Sequence, residues 1–136
     1  MTPPRHLFEY TVLRVVPRVE RGESINAGVL LYCQALDYLG SRVRLDRERL
    51  FALDPSADPD AIERALRSVA DVCAAAEGAG PAADEDIGRR FRWLAAPRST
   101  VVQPGPIHTG LTADPDAEAD HLLALLVAPV TGTPPG

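Results

Sequence analysis

At 136 residues the chain has the length of a single domain, enough to bury a core without disulfide or metal staples. A net charge of -5 argues against nucleic acid, whose binders usually carry a basic balance, and no segment reaches the ~20 apolar residues that a membrane-spanning helix needs. All 14 basic residues are arginine, which reads as codon bias of a GC-rich genome rather than as a device for stability.

The first element in chain order is a strand over Phe8–Val16, "FEYTVLRVV", rich in β-branched and aromatic residues. Alternation sets Phe8, Tyr10, Val12, Arg14 and Val16 on one face, so Arg14 is a cation among apolar neighbours. Pro17, unable to donate to a ladder, ends the strand. "AGVLLYCQAL" reads as a second strand, apolar on both faces and therefore central. A third follows at Tyr38–Leu45, with Arg42 and Arg44 on one face as charges that blunt a sheet edge. "LDRERLFAL" is a short helical turn before Pro55.

The segment "ADPDA" occurs at 57–61 and again at 113–117, and both copies are helix starts. Asp58 and Asp114 cap, while Pro59 and Pro115 fill the first helical position. Ile62, Leu66, Val69 and Cys73 continue the first at helical spacing, and "EADHLLALLV" carries the second to about Val127. Between them "GAGPAADED" is a break, and Ile87, Phe91 and Leu94 mark a further helix. "STVVQP" reads as a fourth strand, "PGPIHTGL" as a turn-rich loop, and residues 129–136 as a flexible C-terminal tail. The order predicts one α+β domain over residues 8–128. Its antiparallel sheet has about four strands, a meander of three plus a later one, with about three helices packed on it.

Familiar catalytic constellations do not emerge. His6, His108 and His121 lack metal-ligand spacing, and neither a phosphate-binding Gly-rich loop with Lys nor a Gly-x-Ser-x-Gly elbow is present, so no metal or cofactor is expected. Cys33 and Cys73 lie in apolar patterns as buried thiols, which fits a reducing, cytoplasmic setting.

Two polar knots stand out. The connection from Pro17 to Asn26 spans ten residues, against a typical two to five for a hairpin. In it Arg21 and Glu23 can pair, Gly22 permits positive φ, Asn26 can bond its own backbone, and Gly28 permits close approach to the strand. Read structurally it is a bulged turn that sets register; read functionally, Arg21, Glu23 and Asn26 line a polar pocket. The second knot spans Arg90 to Leu111, with Arg89 and Arg92 one helical turn apart, Arg98 before the strand, and Gln103 and His108 flanking a stiff Pro-Gly-Pro turn. Trp93 reads as a packing residue, and His108 taken alone as a hydrogen-bonded loop residue.

Together "YTVLRVVPRVERGESINAGVLLY" and "RSTVVQPGPIHTG" resemble a bacterial family catalogued as domain of unknown function 3037. The positions that carry the resemblance are Arg14, Arg21, Gly22, Glu23, Asn26, Gly28, Gln103, Gly105 and His108. The resemblance implies no reaction; it implies a partner, a kinase-like protein of the HipA type.

The expectation is a non-catalytic binding or accessory module in which the two knots meet at one end of the sheet. Arg14, Arg21, Glu23, Asn26, Arg92, Arg98, Gln103 and His108 are the candidate binding residues, with Glu23 the expected carboxylate partner of Arg14. The cluster would engage another protein or a small anionic ligand. The alternative is a small enzyme with Glu23 or His108 as general base, and Arg21, Arg92 and Arg98 stabilising a phosphate or carboxylate substrate.

Overall fold

Strands β1 (His6–Val15) and β2 (Ile25–Cys33) form the centre of a five-stranded antiparallel sheet in the computed structural model, which describes residues 2–130. β3 (Tyr38–Val43) lies on the far side of β2, while β4 (Val102–Pro104) and β5 (His108–Thr112) share the far side of β1. The helices are α1 (Arg47–Leu53), α2 (Pro59–Cys73), α3 (Ile87–Ala95) and α4 (Pro115–Leu126), with a 3₁₀ turn at Pro81–Asp84. Each α-helix begins at an aspartate, Asp46, Asp58, Asp86 or Asp114, whose carboxylate accepts the backbone N–H three residues on. That contact satisfies one of the N–H groups every helix start leaves unpaired.

The α+β antiparallel class read from the sequence holds, and the helices lie on both faces of the sheet. Successive residues of β2 enter two separate cores. Leu30 packs with Leu13, Leu66, Phe91 and Leu94 on the α2 and α3 side, whereas Val29, Leu31 and Cys33 pack with Phe8, Val12, Ala119 and Leu122 on the α4 side. A strand apolar on both faces has to be covered on both, and that requirement places α4 opposite α2.

Two expectations are corrected. The segment "PGPIHTGL" is not a loop throughout, because His108–Thr112 forms β5, paired from Tyr10↔His108 to His6↔Thr112. β4 and β5 are one edge strand interrupted at Pro104-Gly105-Pro106, where proline cannot donate to the ladder; at an edge only one side of the backbone needs partners. Arg42 does more than face solvent at the other edge. Its guanidinium pairs with Asp116 at 2.8 Å and Asp120 at 2.7 Å, and the Tyr38 hydroxyl donates to Asp116 at 3.1 Å, fastening β3 to α4. The proposed C-terminal tail falls largely on residues 131–136, which lie outside the described residues.

Candidate functional site

The site begins with one extra residue in β2. Leu13 opposes Gly28, but Arg14 opposes Asn26, so Ala27 is a β-bulge. Simple alternation would turn Asn26 toward α2. The bulge turns it toward α4, where Asn26 Nδ2 donates to the Leu126 carbonyl at 3.0 Å, and it leaves Ile25 and Ala27 together in the α2 core. Gly28 is needed beside the bulge because a β-carbon there would stand 2.6 Å from the backbone oxygen of Arg42. The close approach expected at Gly28 is thus made by backbone.

On the other side of β1, Arg14 opposes Gln103. Asn26, Arg14 and Gln103 therefore form one row across β2, β1 and β4, with their side chains on the α4 face. The two knots, about 80 residues apart, are joined through Arg14. The Pro-Gly-Pro turn is held on β1 by the buried Thr11 hydroxyl, which donates to the Gly105 carbonyl at 2.7 Å, and by the Gly105 N–H, which donates to Val12 O at 2.8 Å. The Arg14 guanidinium lies over Gly105, and Gln103 Nε2 donates to Thr100 O at 2.8 Å. Further along the same face the rings of Tyr10 and His108 are 5.3 Å apart, and the Phe8 ring occupies the space a side chain at Gly110 would need. Tyr10 and Arg14 are four positions apart, about 13 Å along the strand.

α4 packs on β2 and β3, leaving the β1, β4 and β5 half of this face more open. Arg14 and His108 are exposed, and Tyr10 and Gln103 are half-buried. Among the described residues the Arg14 guanidinium makes no hydrogen bond or ion pair. The expected Arg14–Glu23 pair does not form. Glu23 is bonded to Arg21 in the exposed β1–β2 connection, and Arg14, at the open edge of α4, keeps its charge in contact with water and needs no buried counter-ion.

The β1–β2 connection turns at Gly22, whose φ is +70°, with the N–H groups of Arg21 and Gly22 both donating to Arg18 O. Its anchor is Arg18, which sequence reasoning missed. Arg18 Nε lies 3.5 Å from Asp54, a buried carboxylate at the end of α1. Hydrogen bonds from the Ser56 side chain and backbone, with Arg18 alongside, hold the Asp54 carboxyl below its ordinary value. Only contact between distant segments could reveal this anchor.

Arg92 and Arg98 do not join the row. Both belong to the opposite face, where Arg92 pairs with Glu9 at 2.7 Å and Arg98 lies over the Trp93 ring at 4.8 Å. Phe8, Tyr10, Val12 and Arg14 face α4, while Glu9 faces α3, so the sheet separates these two arginines from Arg14 and His108. Tyr10 and Thr11, by contrast, belong to the site. The sequence signal for Tyr10 was its place in the alternation that carries Arg14.

What the row offers chemically is a guanidinium with its donors available, flanked by two amides and, farther along, an imidazole on an aromatic ring. Such a set suits a carboxylate or phosphate presented from outside. Among the described residues no group of three or more His, Cys, Asp or Glu is placed to hold a metal ion, and no helix is long and apolar enough to cross a membrane.

These features define an antiparallel α+β protein with a polar row on an open sheet face. The chain belongs to the family described as "Protein of unknown function (DUF3037)", whose model matches residues 10–127. No curated protein and no solved structure matches the chain.

Proposed function

We propose that this protein is a non-catalytic binding or accessory module that receives another protein on the open half of the α4 face. Arg14 takes a carboxylate or phosphate of that partner, with Gln103, Tyr10 and His108 alongside it. The observation that carries the reading is the exposed Arg14 guanidinium, lying over Gly105 in the row with Asn26 and Gln103 and left without an internal acceptor among the described residues. β1 fixes the backbone of Arg14 opposite Gln103, and the guanidinium has no internal bond to give up on binding. The enzymatic alternative has weaker support, because Glu23 is engaged with Arg21 and because Arg92 and Arg98 lie across the sheet from His108.

The family resemblance supplies a candidate partner, a HipA-like kinase. Co-expression of the two chains, followed by copurification at micromolar concentration, tests the reading. A complex is expected, and Arg14→Glu should weaken it at least about tenfold with the fold intact, the effect of reversing one interfacial charge. Failure of the wild-type chains to associate would count against this partner, and unchanged binding by Arg14→Glu would remove the site.

A further inference from the structure

A concavity lies on the other face of the sheet. Its floor is the α2 flank at Ala65, Val69 and Val72, and its walls are Trp93 at the end of α3 and the Thr100–Val102 segment leading into β4. The cavity is about 510 Å³, within the roughly 300–1,000 Å³ span of small-molecule sites. Trp93 is 49% exposed. An indole half in water on a mostly apolar cavity is a poor packing residue and a good wall for a ligand.

Arg98 stands at the rim. Its Nη2 donates to the Trp93 carbonyl at 2.6 Å and its Nε lies 3.4 Å from the Ala96 carbonyl, while the guanidinium rests on the indole. These contacts lie at the end of α3, where the Trp93 carbonyl also accepts from the Ala96 N–H at 3.4 Å. They also fix the cation in place, with Nη1 unpartnered among the described residues and no acidic side chain among those that line the cavity. The lining of the cavity supplies no carboxylate to this half-buried cation.

We propose that this groove binds a small amphipathic carboxylate, its apolar or aromatic body lying between Trp93 and α2 and its carboxylate on Arg98. A charged head pairs with the fixed guanidinium, and the apolar body displaces water from Val69, Val72 and Val101. This site is independent of the Arg14 row.

Trp93 is the single tryptophan, so its emission reports on the cavity directly. The probes are 4-phenylbutyrate and 4-phenylbutan-1-ol, which share a body and differ in the head. The carboxylate should give a saturable blue shift, and the alcohol should bind at least about tenfold more weakly, the weight of one charge-assisted hydrogen bond. Arg98→Gln should abolish that preference. Ser68→Leu, which narrows the cavity from an exposed position on α2, should weaken both probes. Should Arg98→Gln lose its fold, as judged by circular dichroism, the acid-alcohol difference in wild type and the effect of Ser68→Leu decide the matter. No saturable shift, equal affinity for acid and alcohol, or full binding by Ser68→Leu would each overturn the proposal.

Discussion

Arg14 lies across Gly105, close enough that a β-carbon built on the glycine would stand 3.1 Å from the guanidinium carbon. The contact joins the end of β1 to the turn between β4 and β5, and it rests on the one residue type that leaves the guanidinium room. Gly28 looks similar in sequence, yet its missing side chain makes space for the backbone oxygen of Arg42 at 2.6 Å.

The two glycines should therefore respond differently to alanine. In Gly105→Ala the far end of a flexible side chain moves aside, and stability should change by no more than about 0.5 kcal/mol, while binding through Arg14 weakens. In Gly28→Ala the neighbour is backbone in the middle of a sheet, and the loss should exceed about 2 kcal/mol. Urea denaturation of both variants, read as midpoint and slope, checks the contrast; equal losses would contradict it.

Thr11→Val tests how the Pro-Gly-Pro turn is held. Thr11 is fully buried and its hydroxyl donates to the Gly105 carbonyl at 2.7 Å. Valine keeps the shape and removes the donor, leaving a carbonyl short of a partner, at a cost of about 1–3 kcal/mol. Amide exchange in β5 should accelerate more than in β3, since β3 has its own fastening through Arg42.

Acid should weaken the fold through carboxylates whose folded pKa is depressed. Asp116 is lowered by hydrogen bonds from Arg42 and then Tyr38, Glu63 by hydrogen bonding to Arg47, and Asp54 by its bonds from Ser56. With folded values below the unfolded one of about 4, the unfolded chain binds more protons in that window. Their contribution is thus present above pH ~4 and is lost as pH falls through the folded values. Urea midpoints measured from pH 6 downward should fall below pH ~4, and Asp116→Asn should flatten that limb.

Neither cysteine should react in the native state. Cys33 and Cys73 are both buried and unpaired, and burial pushes the Cys73 thiol up, so its thiolate is scarce at neutral pH. Labelling with a chromogenic disulfide reagent should be negligible in buffer and should release two thiols per chain in denaturant. Rapid labelling of the native protein would contradict the burial of these side chains.

The sequence by itself determined whatever depends on local rules. Aspartate before proline started two helices, and the alternation of β1 gave the face that carries Arg14. Two-sided apolarity made β2 central, and the paired motifs marked the family that the match over residues 10–127 shows. Tertiary structure decided the rest. Pro104, Gly105 and Pro106 spell a loop by every local rule, yet β1 offered an open edge and drew His108–Thr112 into the sheet. The bulge at Ala27 reversed the direction of Asn26, and α4 left Arg14 at an open edge where Glu23 was not required. The sheet itself parted Arg92 and Arg98 from the residues they were grouped with. Proximity along a chain does not say which side of a sheet a helix will cover; that follows from which apolar faces remain to be buried once the central strands have paired.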